Sequence, residues 1–115
     1  MNLASLSVRL TVEPSCLGKN SEVRICGEVR NVGSVVTPAR SESSLLLING
    51  EPAENWPLAI GNGMRDPREF ALPPGEQIEF QRTLPASSLF QRPGKQEMVL
   101  VVEGVPSPAV TIEWQ

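Results

Sequence analysis

The chain contains no histidine and no tyrosine, and Asp66 is its only aspartate. Without an imidazole there is no Ser-His-Asp or Cys-His arrangement, no histidine general base, and almost no route to a catalytic zinc site. With a single aspartate, an oxygen-rich calcium loop would have to be assembled from glutamates and backbone carbonyls. No cofactor or metal site is therefore expected. Aromatics are equally scarce, at three phenylalanines and two tryptophans, leaving little material for a sugar-gripping cleft around the carboxylate pairs Glu51/Glu54 and Glu76/Glu79. Those glutamates read as solvated turn residues, and the chain as non-catalytic.

Charge is also sparse and unpatterned. Eight arginines and two lysines stand singly against thirteen acidic residues, for a net charge of −3. No basic stripe is available to neutralise a phosphate backbone, so nucleic acid is not an expected partner. No apolar run approaches the ~18 residues that cross a bilayer, and the first residues lack the charged-then-apolar layout of a signal peptide. If Met1 is the native start, the expected compartment is the cytoplasm; if the chain is a domain cut from a longer protein, it is outside the cell.

What is present is punctuation. Eleven prolines and nine glycines are spread along 115 residues, too many for a helical bundle and too dispersed for a disordered tract. A glycine followed by a charged residue precedes a β-prone run three times: at Gly18-Lys19, at Gly75-Glu76 and at Gly94-Lys95. Turns that repeatedly deliver the chain into a strand predict an antiparallel sandwich.

Alternation fills in the strands. Leu6, Val8, Leu10 and Val12 share one face of a first strand, and Val23, Ile25, Gly27 and Val29 one face of a second. Pro38 demotes 35–43 to an edge or a crossing between sheets. Asn49-Gly50 after Leu45-Leu46-Leu47-Ile48 is the pair demanded by a two-residue type I′ hairpin turn. Pro52 and Pro57 bar the returning segment from a regular central strand. Phe70 and Leu72 predict a short strand, Gln77–Leu84 a longer one, and Pro85–Phe90 a helical turn whose Leu89 and Phe90 plug one end. Lys95–Glu103 reads as a central strand covered on both faces, and Val110, Ile112 and Trp114 as the last strand. The buried set predicted from this pattern is Leu6, Val8, Leu10, Val23, Ile25, Val29, Phe80, Leu100, Val102, Val110 and Ile112. Of Gly33, Gly50, Gly75 and Gly94, at least two should have positive φ.

Seven or eight such strands in one 115-residue domain predict an all-β, immunoglobulin-like or fibronectin-III-like antiparallel sandwich. Val29-Arg30-Asn31-Val32-Gly33-Ser34, Leu72-Pro73-Pro74-Gly75-Glu76, and Pro93-Gly94 before the penultimate strand together make the chain resemble bacterial Ig-like accessory domains of the CARDB and BsuPI-like proteinase-inhibitor kind. That resemblance implies a non-catalytic module that binds protein or spaces domains. An alternative is an inhibitor that offers 49–69 to a protease.

Two cysteines invite a disulfide, but a first hairpin turning near Gly18-Lys19 sets Cys26 opposite residue 11, roughly 16 Å of strand from Cys16, against the ~7 Å a bridge needs between Cα atoms. Free thiols are expected, unless the 14–20 loop folds back and brings Cys16 within reach of Cys26. Candidate partner contacts are Trp56, as a stacking platform for carbohydrate or an interface anchor, and the polar cluster Asn62, Arg65, Asp66 and Arg68 on the nine-residue excursion 61–69. Each has a structural alternative. Trp56 can plug the sandwich beside Leu58 and Ile60, and Asp66 can cap a turn before Pro67.

Overall fold

A computed structural model describes residues 5–13, 16–18, 21–61 and 66–115, with the side chains of Cys16, Leu17 and Gly61 left aside. The strands are β1 (Leu6–Glu13), β2 (Cys16–Leu17), β3 (Glu22–Asn31), β4 (Leu45–Ile48), β5 (Glu51–Pro52), β6 (Gln77–Pro85), β7 (Gly94–Val102), β8 (Val105–Pro106) and β9 (Val110–Trp114). Two short helices, α1 (Trp56–Gly61) and α2 (Ala86–Leu89), and two 3-10 turns at Ser41–Ser43 and Pro67–Phe70 complete the description.

One sheet runs β1-β3-β6; the other runs β2-β9-β7-β4-β5, with β8 also paired to β7. The layout is the predicted two-sheet sandwich, with one departure: β2 pairs β9 in parallel. After β1 the chain leaves its own sheet, adds two residues to the edge of the other, and returns as β3. The predicted register holds, since Thr11 stands opposite Cys26. Cys26 is a free thiol.

The inward faces are those the alternation predicts, and β1 buries every second residue from Leu6 to Val12. Of the predicted buried set, Val110 alone is half-buried rather than buried. Gly27 has a positional reason to lack a side chain: a Cβ there would lie 2.6 Å from Phe80 Cζ and 2.8 Å from Leu100 Cδ2, so the ring from β6 fills the space a larger residue would need. β7 is central, between β4 and β9, but not covered on both faces. Met98, Leu100 and Val102 are buried, while Val99 and Val101 are half-buried on the outer face. Its apolar run reflects close neighbours on either side, with no second layer above it.

Two connections differ from expectation. Beyond the short returning strand β5 the segment forms α1, because Pro57 fits a first helical turn and Trp56 and Ile60, four residues apart, fall on one buried face. Phe70 lies in a 3-10 turn and not a strand; only Leu72 makes an isolated bridge, to Thr37. Thr37 thereby ties down the crossing segment between the sheets. Gly50, Gly75 and Gly94 have φ of 87°, 82° and 114°, whereas Gly33 is not among the positive-φ glycines. Asn49 (φ 54°) with Gly50 makes the predicted hairpin turn, since both centres need the left-handed region.

Candidate functional site

Trp56 is 1% exposed. Its indole N–H donates to Ser44 Oγ at 2.9 Å, Ser44 Oγ donates in turn to the Ser41 carbonyl at 2.6 Å, and the ring packs 6.5 Å from that of Phe80. An indole so enclosed has no face to offer a sugar, which corrects the stacking-platform reading. Its size was needed to close the side of the sandwich that α1 covers.

Asn62 and Arg65 lie outside the described residues. Asp66 is half-buried and accepts from the Arg68 backbone N–H at 2.9 Å, capping the 3-10 turn that Pro67 opens. The Arg68 guanidinium reaches Asp66 at 2.7 Å and Glu76 at 3.0 Å. These bonds hold the Asp66 carboxyl below its ordinary range and raise the Arg68 pKa. The Arg68 cation is thus engaged between two carboxylates of its own chain. Glu69, which the sequence did not single out, is buried and accepts from both the backbone N–H and the hydroxyl of Ser41 at 2.5 Å. A segment anchored by Trp56, Ile60, Glu69 and Leu72 is held into the core along much of its length.

A different surface stands out at the end of the sandwich where β3 stops. Asn31 is fully buried, and its backbone N–H donates to the Glu76 carbonyl at 3.0 Å while its own carbonyl accepts from Gly75 N–H at 2.8 Å. Its carboxamide nitrogen donates to the carbonyls of Val35 and Leu72, both at 2.8 Å, and its oxygen accepts from Gly33 N–H at 2.9 Å. One side chain therefore pins the 32–36 loop to the 72–76 turn. What it presents is apolar: Val32, Val35 and Val36 are 56%, 40% and 57% exposed, and Phe70, on the segment that pairs with 37–39, is 56% exposed. Isolated exposed valines are ordinary, but most of the exposed large apolar side chains among the described residues sit on these two linked segments. The signal available in the sequence was a Val-Val pair inside a loop, with no alternation to bury it.

Beside this surface, Arg40 clasps Glu103 through Nε at 2.9 Å and Nη2 at 3.4 Å. The pair links the crossing segment to the Glu103-Gly104 turn between β7 and β8, and it holds the Glu103 carboxyl below its ordinary range. At the opposite end, a cleft of about 330 Å³ opens between the Asn49-Gly50 turn and the α2 segment, lined by Asn49, Glu51, Asn55, Ser88, Arg92 and Gln96 among others.

Among the described residues no group of three or more Cys, Asp or Glu side chains is placed to hold a metal ion. Burial raises the Cys26 thiol pKa, against the lowering influence of Arg24, which makes it a poor nucleophile at neutral pH. No described helix is long and apolar enough to cross a membrane.

Taken together, β1-β3-β6 against β9-β7-β4-β5 with a short β2 crossing over defines an Ig-like or fibronectin-III-like β-sandwich. Solved structures share this fold. A CARDB domain from Pyrococcus furiosus, crystallised in complex with two metal ions, superposes with a TM-score of 0.66 at 14% identity, covering 100% of this chain and 91% of that one. The fold is thus CARDB-like. An alkylpurine DNA glycosylase from Pseudomonas fluorescens (TM-score 0.65, 14% identity) and a β-glucosidase from Listeria innocua (TM-score 0.64, 10% identity) match over 97% and 99% of this chain, but over only 31% and 16% of their own. No family model and no curated protein matches the sequence.

Proposed function

We propose that the chain is a non-catalytic Ig-like module that binds a protein partner through the end organised by Asn31, with Val32, Val35, Val36 and Phe70 as the contact. The observation that carries this reading is the pairing of exposed apolar side chains with a rigid, buried polar anchor beneath them. A preorganised apolar tip loses little conformational entropy on binding, which is where interface energy is otherwise dissipated. The fold neighbours that hold this sandwich as a minor part of a larger enzyme are consistent with an accessory role. The proteinase-inhibitor alternative is less favoured, because much of the 49–69 excursion is helical or anchored in the core.

The test is capture of the partner from the native host, repeated with a Val32→Asp/Val36→Asp double variant whose melting temperature matches the parent. Binding should fall by about tenfold or more, as expected when anchoring apolar contacts are charged. An Arg68→Ala variant should bind normally. If capture survives the aspartates and is lost with Arg68→Ala, the contact is the polar loop and this reading fails.

A further inference from the structure

The Asn49-Gly50 turn carries a chemical liability that the fold holds in check. In an Asn-Gly dipeptide the glycine nitrogen approaches the preceding side chain unhindered and can attack its Cγ. The C–N bond to the amide nitrogen breaks and ammonia leaves, closing a succinimide; water then opens the ring to aspartate or isoaspartate. Here Gly50 is in open space with no heavy atom near a Cβ position, so nothing shields it sterically. What restrains the reaction is the carboxamide itself. Asn49 Nδ2 donates to Gln96 Oε1 at 2.8 Å and Asn49 Oδ1 accepts from Glu97 N–H at 2.9 Å, while Asn49 N–H donates to the Glu97 carbonyl at 2.8 Å. Gln96 is buried and is fixed from the other side by its Nε2, which donates to the Arg92 and Gly94 carbonyls at 2.7 and 3.3 Å. The carboxamide cannot swing over the Gly50 nitrogen without breaking both side-chain bonds.

We infer that Asn49 is a latent deamidation site whose reactivity is gated by the Gln96–Glu97 clamp. Opening the clamp permits a one-way change. An aspartate at this position has no N–H for Gln96 Oε1 and sets a negative carboxylate against that carbonyl oxygen. An isoaspartate adds a backbone carbon to a two-residue turn that has no slack. Either product loosens the β4–β5 hairpin and the cleft it walls, and adds one negative charge to a chain of net −3.

The experiment incubates the folded protein, the urea-unfolded protein and a Gln96→Leu variant at pH 8 and 37 °C. Cleavage at glutamate, which spares the Glu51-Pro52 bond, isolates residues 43–54, so the mass gain at Asn49 is scored apart from Asn62-Gly63, the other Asn-Gly of the sequence. Two ordinary hydrogen bonds should slow the folded protein about tenfold or more relative to the unfolded chain. The Gln96→Leu variant, checked for native circular dichroism, should move most of the way to the unfolded rate. If Gln96→Leu does not fold, Gln96→Met, which keeps the length of the side chain and removes the acceptor for Asn49 Nδ2, takes its place and should likewise move toward the unfolded rate. Equal rates in folded and unfolded protein, or a folded Gln96→Leu or Gln96→Met variant as slow as the parent, would each overturn the gate.

Discussion

The two ends of the sandwich are each organised by an asparagine, and they use it in opposite ways. Asn31 is buried at the end of β3 and its side chain bonds backbone groups of two separate segments, the 32–36 loop and the 72–76 turn. Asn49 is exposed in a hairpin turn and ties one turn to one neighbouring strand. Their donor and acceptor inventories are identical. What differs is the solvent: water can replace the Asn49 bonds but has little access to those of Asn31, so losing the same side chain costs less at one end than at the other.

The sharpest way to break that comparison is Asn31→Ala. It removes three hydrogen bonds at once, leaving the Gly33 N–H without its acceptor and the Val35 and Leu72 carbonyls with Thr37 as their remaining donor, and should cost about 2–4 kcal/mol in urea denaturation, against about 1 kcal/mol for Asn49→Ala. Equal losses would show that burial is not what separates the two ends. Gly27→Ala probes the waist between them. With Phe80 and Leu100 already occupying the Cβ position, overpacking should cost about 1–3 kcal/mol and shift both ends' unfolding together. Independent transitions by separate probes at Asn31 and Asn49 would mean the ends do not share one cooperative core.

The smallest effect concerns the Arg40–Glu103 clasp beside the Asn31 end. Because the folded-state pKa of Glu103 is depressed, its contribution is present above the ordinary value of 4.5 and is lost as pH falls through the lower folded value. Glu103→Gln should flatten that part of the stability–pH profile and leave stability at pH 9 only slightly lower than the parent's. An unchanged acid limb would place the titration on other carboxylates, such as Asp66, which is also depressed by its arginine partner.

Much of the sandwich was legible because its signals are local. Alternation in β1 and β3 needs only a two-residue period, and Asn49-Gly50 names its own turn. The second two-residue turn was not legible. Glu103 adopts φ of 50° before Gly104, a conformation that Glu disfavours, and it is offset by a carboxylate that receives Arg40 from sixty-three positions away. The candidate site was half legible for the same reason. That Asp66 caps its turn follows from Asp-Pro spacing, whereas the engagement of Arg68 by Glu76 needed the turn at Gly75 to bring the two together. The Val32–Val36 surface went unread because a loop valine looks the same whether it is tucked in or held out.

The sequence by itself determined the class of fold, the faces of the strands, the hairpin at Asn49 and the poverty of catalytic groups, all of which depend on residue type and short spacing. Only the tertiary structure decided that Trp56 is core, that Glu69 and Arg68 serve the fold, and that Asn31 holds an apolar end out to solvent. Those outcomes depend on which distant backbone groups a side chain meets, and contacts across such separations in the chain are set by how the two sheets close on each other.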